Sequence, residues 1–136
     1  MSEIDDISYM EQALHLAEKG RYSTSPNPAV GCVIVKNQRV IGSGFHRLAG
    51  GPHAEIEAIN SATESCENAT AYITLEPCSH HGKTGPCCEA LIAQQFARVV
   101  YAVVDPNKDV AGKGDRMLRK AGMDVLGGVC AAAARE

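Results

Sequence analysis

Short apolar segments alternate with helix-like segments along the second half of this sequence, and this alternation constrains the fold more than any other feature. The apolar segments are TAYITL, RVVYAVVD and MDVLGG, and they are separated by PCCEALIAQQF and GDRMLRKAG. Strands that alternate with helices predict a largely parallel sheet with helices on both faces. Ligand sites in such sheets lie beyond the carboxyl ends of the strands, here Gly51–His53, Glu76–Pro86 and Asp105–Gly114.

The first half of the chain predicts a helix followed by a β-hairpin. Apolar residues at helical spacing predict a helix over Ile7–Lys19, with Gly20 as its stop. The segment VGCVIVKNQRVIGSGFH predicts two strands that turn near Asn37–Gln38. Pro52 then precedes a further helix. We therefore expect one domain, residues 1–136, with an α/β fold of three layers and a mixed, mostly parallel sheet of five strands that includes the hairpin.

Composition and charge exclude several classes of function. The chain has 136 residues and a net charge of −3, which argues against a protein that binds duplex nucleic acid through its phosphates. No apolar run reaches the ~20 residues needed to cross a bilayer, and the acidic start MSEIDDISYM does not resemble a secretory signal. Six cysteines without such a signal predict free thiols in a cytoplasmic protein, more typical of metal binding or catalysis than of disulfides.

Several potential metal ligands lie near two predicted helix starts. His53 begins one helix, Cys78 follows Pro77 at the end of a strand, and either Cys87 or Cys88 could add a second thiolate. Three protein ligands would leave a fourth tetrahedral position open, as in catalytic zinc sites. Glu55, two residues after His53, could take a proton from water at that position and return it to a leaving amine.

These residues resemble the zinc-dependent nucleoside and nucleobase deaminases, whose signature is HAE followed by PC and a later cysteine. The common form has two residues between the cysteines, whereas eight separate Cys78 from Cys87 here. TSPNPAVGCVIV, GFHRLAGGPHAE, TLEPCSHHGKTGPC and VVDPNKDVAGKG together resemble the deaminase domain of the riboflavin-biosynthesis deaminase/reductase. The resemblance covers the chain from about Met10 to about Val129.

The resemblance implies a fold of the cytidine-deaminase type, one zinc ion per chain and a hydrolase acting on a cyclic amidine C–N bond. The implied substrate is 2,5-diamino-6-(5-phosphoribosylamino)pyrimidin-4(3H)-one, which yields ammonia and the 5-aminouracil derivative. Cys88 is then left to pack as a small apolar residue. The implied site comprises the acid/base Glu55, the zinc ligands His53, Cys78 and Cys87, and the substrate contacts Asn27, His46, His80, Lys83, Asp105 and Asn107.

The chain departs from this family in three respects. It does not contain the C-terminal reductase domain, so we expect either a single-function deaminase or a fragment of a longer protein, with any reductase supplied separately. Gly85 and Lys108 stand where the family usually has prolines. The resemblance also implies a homo-oligomer, whose number of subunits the sequence does not fix.

Two alternative functions stay open at this stage. One is a zinc deaminase that acts on cytosine, guanine or a tRNA adenosine, although the acidity of the chain weakens the tRNA version and the eight-residue gap weakens all three. The other is a deaminase-like module that binds a nucleotide without catalysis. Glu55 argues against the second alternative, because a binding module needs no acid beside the metal.

Overall fold

A computed structural model of the protein describes residues 3–20, 29–46, 53–78, 87–104 and 111–134. The order of elements in these residues confirms the alternation that the sequence predicts. The helices are α1 (Glu3–Lys19), α2 (Ala54–Ser61), α3 (Cys87–Ala93), α4 (Lys113–Lys120) and α5 (Ala131–Ala134), and the strands are β1 (Gly31–Lys36), β2 (Arg39–Phe45), β3 (Thr70–Leu75), β4 (Arg98–Val103) and β5 (Asp124–Gly127).

The five strands form one mixed sheet in the order β2-β1-β3-β4-β5. β1 pairs antiparallel with both β2 and β3, whereas β3, β4 and β5 are parallel neighbours. The carboxyl ends of β2, β3 and β4 therefore lie at the same end of the sheet as the amino end of β1. The predicted ligand Cys78, which follows β3, lies at this end.

The hairpin between β1 and β2 turns at Asn37 and Gln38, as predicted. Both residues have positive φ, at 52° and 63°. Two consecutive residues in this region are typical of the tight hairpin turn whose twist matches that of the flanking strands. An asparagine tolerates this backbone region better than most residues, which explains why the turn could be located from sequence.

Helices cover both faces of the sheet and give two cores. One core packs α2, α3 and α4 against the sheet and includes Ile34, Ile73, Leu91, Val99 and Leu118. The other lies beneath α1 and α5, and its buried members are Met10, Ala13, Val33, Val35, Tyr72, Val100 and Ala102. Successive residues of a strand face opposite sides of the sheet, so neighbours such as Tyr72 and Ile73 belong to different cores. The predicted three-layer arrangement is confirmed.

The helix α2 lies directly on the edge strand β2. A Cβ atom at Gly44 would come within 2.6 Å of the Glu57 Cβ and 2.7 Å of the Ala58 nitrogen. On the outer edge of β2, the Ser61 hydroxyl accepts a hydrogen bond from the Ser43 N–H at 3.0 Å and lies 2.9 Å from the Ser43 carbonyl oxygen, which can accept its proton. The middle and the end of α2 are thereby fixed against the sheet, and the first turn of the same helix carries candidate site residues.

Element boundaries differ from the prediction mainly at the two ends of the chain. α1 begins at Glu3, four residues before the predicted start, and the alanine run near the C-terminus forms the short helix α5, which was not predicted. The prolines Pro52 and Pro86, expected at helix starts, lie outside the described residues. No helix in the described part of the chain has the length and apolar character needed to cross a membrane.

Candidate metal centre

Three separate elements bring His53, Cys78 and Cys87 together. His53 is the extended residue that precedes the first turn of α2, with φ −72° and ψ 164°, and its carbonyl accepts the Glu57 N–H. Cys78 lies three residues beyond the end of β3, and Cys87 is the first residue of α3. The start of one helix, the extension of a strand and the start of another helix therefore converge at the end of the sheet where ligands were expected.

The donor atoms of these three residues fit a tetrahedral zinc ion. All three atoms lie within 4.8 Å of one another. The Nδ1 atom of His53 is 3.1 Å from the Cys87 sulfur and 3.8 Å from the Cys78 sulfur. Ordinary zinc bond lengths and tetrahedral angles place a nitrogen and a sulfur ligand about 3.6 Å apart. One imidazole and two thiols are also a ligand set that zinc favours.

Hydrogen bonds at the start of α3 stabilise a thiolate on Cys78. Its sulfur accepts the Cys87 backbone N–H at 3.1 Å. The Cys87 thiol, with help from His53 and this N–H, lowers the pKa of Cys78 to about 4, although burial opposes the shift. The hydrogen bond to Cys78, together with burial, raises the pKa of Cys87 well above its usual range. A divalent cation among these atoms would stabilise both thiolates.

Glu55 lies in the first turn of α2, beside the candidate ligands. Its side chain is buried, with 4% of the residue exposed. Burial raises the pKa of the Glu55 carboxyl, and the nearby Cys78 adds to the shift. The carboxyl also interacts with the Cys87 side chain. The structure thus places an acidic group next to the three donor atoms in a region that excludes bulk water.

His46 is the one predicted substrate contact among the described residues. It follows β2, is 4% exposed, and its ring meets that of His53 edge-on, with the ring centroids 5.3 Å apart. The other predicted contacts, Asn27, His80, Lys83, Asp105 and Asn107, lie outside the described residues. The role of His46 toward a substrate stays a prediction.

Cys88 is buried as predicted, but its thiol also has polar neighbours. It is fully buried, and its sulfur lies 3.4 Å from the Pro77 carbonyl oxygen and 3.6 Å from that of Gly114. Burial raises the pKa of this thiol to about 12, so Cys88 remains a neutral donor. All six cysteines of the chain are free thiols.

Sequence reasoning missed one buried acid next to the candidate centre. Glu76 follows β3 directly, is 3% exposed, and its carboxylate accepts two backbone N–H groups of the segment that begins α4. Its position between an apolar strand and Pro77–Cys78 was the available signal, because an acid at the end of a buried strand needs partners. Those partners lie 36 and 39 residues along the chain, which the sequence does not reveal.

Comparison with known sequences identifies related proteins. A family model described as the cytidine and deoxycytidylate deaminase zinc-binding region matches residues 3–103. The riboflavin biosynthesis protein RibD of Escherichia coli is 56% identical over 126 residues, which is 93% of this chain and 34% of that protein. A diaminohydroxyphosphoribosylamino-pyrimidine deaminase of Buchnera aphidicola (subsp. Schizaphis graminum) is 51% identical over 120 residues, covering 88% of this chain and 82% of the relative.

A solved structure gives the same relationship in three dimensions. RibD of Acinetobacter baumannii superposes with a TM-score of 0.95 at 53% identity, over 98% of this chain and 37% of that chain. The chain therefore spans about a third of the length of the RibD relatives from Escherichia coli and Acinetobacter baumannii.

Proposed function

The chain belongs to the family of the cytidine and deoxycytidylate deaminase zinc-binding region, and from this premise we propose that it is a hydrolytic deaminase of a pyrimidine ring. The observation that carries the proposal is the convergence of one imidazole and two thiols beside the buried carboxyl of Glu55. Relatives that share 56% and 51% sequence identity with the chain are named for riboflavin biosynthesis and for the deamination itself. They support 2,5-diamino-6-(5-phosphoribosylamino)pyrimidin-4(3H)-one as the substrate.

We assign His53, Cys78 and Cys87 as the residues that would hold one zinc ion per chain. When bound, zinc supplies Lewis acidity that makes hydroxide available near neutral pH. The electropositive start of α3 and the Cys87 N–H favour the thiolate of Cys78 before a metal arrives.

Glu55 is assigned as the group that transfers a proton from the attacking water to the leaving amine. The water oxygen forms a bond to the amine-bearing ring carbon while Glu55 takes one water proton. Glu55 then donates that proton to the amine, the C–N bond breaks and ammonia leaves. The remaining proton of the new hydroxyl moves to the adjacent ring nitrogen, and the ring carbon becomes a carbonyl. Because Glu55 is 4% exposed, the proton is held away from bulk solvent between the two transfers.

The substrate contacts remain proposals taken from the family resemblance. His46 is assigned to the substrate beside His53, and Asn27, His80, Lys83, Asp105 and Asn107 are assigned to the same role outside the described residues. A homo-oligomer and a reductase that acts on the product also remain proposals.

The decisive experiment replaces Glu55 by glutamine in the zinc-loaded protein and measures ammonia release from the riboflavin-pathway pyrimidine. General acid–base catalysis by one side chain contributes about 10²–10⁴-fold, so activity should fall by roughly that factor while zinc content stays at one ion per chain. Glu57→Gln is the matched control, because it makes the same chemical change two residues further along α2. This variant should retain activity. Full activity of zinc-loaded Glu55→Gln would remove the assigned role.

A panel of alternative bases tests the substrate. Cytosine, guanine and their nucleosides, with a tRNA anticodon stem, should release ammonia far more slowly than the phosphoribosylaminopyrimidine. A zinc-containing protein that releases ammonia from nothing in the panel would be a non-catalytic binding module.

A further inference from the structure

The segment Glu76–Cys78 connects β3 to the candidate metal ligand Cys78, and main-chain bonds hold it on two sides. The Glu76 N–H donates to the Val103 carbonyl oxygen at 2.8 Å, which continues the pairing of β3 with β4. The Cys88 N–H donates to the Cys78 carbonyl oxygen at 3.1 Å. These bonds fix the backbone of the segment next to β4 and α3. The contacts of the segment with α4 are made by other groups.

The Glu76 side chain binds the start of α4. Its Oε1 atom accepts the Gly112 N–H and its Oε2 atom accepts the Asp115 N–H, both at 2.9 Å. The first N–H groups of a helix have no partner within the helix, and a carboxylate is favoured there. Gly112 precedes the helix with φ 82° and has no side chain to supply such a partner. Glu76 takes the place of the capping residue that α4 lacks.

The first turn of α4 also lies directly against the ligand segment. A Cβ atom at Gly114 would overlap the Pro77 carbonyl oxygen, so only glycine permits this approach. The Cys88 thiol lies within hydrogen-bond range of the carbonyl oxygens of both Pro77 and Gly114. The side chains of Glu76 and Cys88 therefore both connect the ligand segment with α4.

We propose that Glu76 is a positioning residue for the metal centre: by binding the start of α4, it fixes the segment that carries Cys78. The proposal rests on the assignment of Cys78 as a zinc ligand. Glu76 does not belong to the group of donor atoms itself, and it acts through the backbone of Pro77 and Cys78. Without its two charge-assisted hydrogen bonds, this backbone can move relative to His53 and Cys87, and the three donor atoms lose their preorganised arrangement.

The test replaces Glu76 by glutamine, which keeps the shape and one acceptor oxygen but cannot accept both N–H groups. Two readouts that do not depend on activity are measured. The first is the rate at which zinc-loaded protein transfers its metal to the coloured chelator 4-(2-pyridylazo)resorcinol. The second is the visible absorption of the cobalt(II)-substituted protein, which reports ligand geometry. We expect zinc release to accelerate about tenfold or more, and the cobalt bands to shift or weaken.

Asp6→Asn is the matched control, because Asp6 is an equally buried carboxylate on the opposite face of the sheet. It is 3% exposed and binds Arg98 and Tyr72 rather than anything near the metal centre. Its loss should lower global stability and leave zinc release within about twofold of the unaltered protein, as expected for distant sites.

Each outcome decides the inference. Native zinc release and a native cobalt spectrum in Glu76→Gln would overturn it, and so would equal acceleration in Asp6→Asn, which would indicate a general effect of stability. If Glu76→Gln does not fold, Glu76→Asp takes its place, because the aspartate side chain is one methylene shorter and cannot reach both N–H groups. Faster zinc release in Glu76→Asp then supports the inference, and an unchanged rate contradicts it. If the unaltered protein binds no zinc, the proposed metal site itself fails.

Discussion

At the scale of single residues, an ion pair between the buried Asp6 and the partly exposed Arg98 connects the beginning of the chain to the sheet. The Asp6 carboxylate accepts two hydrogen bonds from the Arg98 guanidinium, at 2.7 and 2.8 Å, and one from the Tyr72 hydroxyl at 2.7 Å. The hydrogen bond from Arg98, followed by that from Tyr72, lowers the pKa of Asp6 against the effect of burial. The bidentate geometry and the third donor satisfy a charge that would otherwise be costly to bury.

Replacing Asp6 by asparagine should lower the free energy of unfolding by about 2 kcal/mol at pH 7, the magnitude of a hydrogen bond to a charged group. Because the pKa of Asp6 is lower in the folded chain, its stabilisation is complete above the unfolded value of about 3.9 and is lost as the pH falls through the folded value. The difference between the two proteins should therefore disappear in acid.

Urea unfolding of both proteins between neutral pH and pH 3 measures this difference. Any loss of metal in acid affects parent and variant alike and cancels in the comparison. A gap in stability that stays constant down to pH 3 would show that the Asp6 charge does not provide the stabilisation.

At the scale of elements, α2 shows how the sheet sets the position of the candidate catalytic groups. Its first turn carries Glu55 directly after His53, and the helix lies on β2 at a distance that only glycine allows at residue 44. A Cβ atom at residue 44 would clash with main-chain atoms of Ala54 and Ala58, and these atoms cannot rotate away as a side chain can. A small change in β2 should therefore move the whole start of the helix.

Gly44→Ala should destabilise the protein by about 1–3 kcal/mol, the usual cost of adding a methyl group to a filled interior. Because the new Cβ atom must push α2 away, ammonia release should also fall. Ser43→Ala, one residue earlier in the same strand and exposed, tests whether alanine itself is tolerated in β2. Chemical denaturation and the ammonia assay measure both effects; native stability and activity of Gly44→Ala would contradict the steric argument.

Local patterns explain why most elements were predictable. The bounds of β3 match TAYITL, the turn falls at Asn37 and Gln38, and α4 ends before Gly122, because each depends on residues within a few positions. The same holds for the grouping of His53 and Cys78, since helix starts and strand ends of such a sheet meet at one edge. The Glu76 contacts with the start of α4 and the Asp6–Arg98 pair depend on partners 36 to 92 residues away, and no local pattern encodes them.

At the scale of the whole molecule, the candidate metal centre joins parts of the fold that are distant in sequence. His53 is 25 residues from Cys78 and 34 residues from Cys87 along the chain. A metal that binds only when α2, the end of β3 and α3 are assembled binds the folded chain and not the unfolded one. Its binding free energy therefore adds to the stability of the entire domain.

Removing zinc with a chelator should lower the melting temperature, and adding it back should restore it. At a free zinc concentration about 1,000 times the dissociation constant, the linkage contributes about 4 kcal/mol, or roughly 14 °C for a domain of this size. Cys87→Ala should abolish this dependence on zinc, whereas Cys88→Ala should keep it. Adjacent cysteines thus give a matched pair, since both are fully buried and both lose one sulfur atom. Thermal unfolding of the two variants with and without zinc distinguishes the assigned ligand from its neighbour. If the melting temperature still depends on zinc in Cys87→Ala but no longer does so in Cys88→Ala, then Cys88 is the ligand.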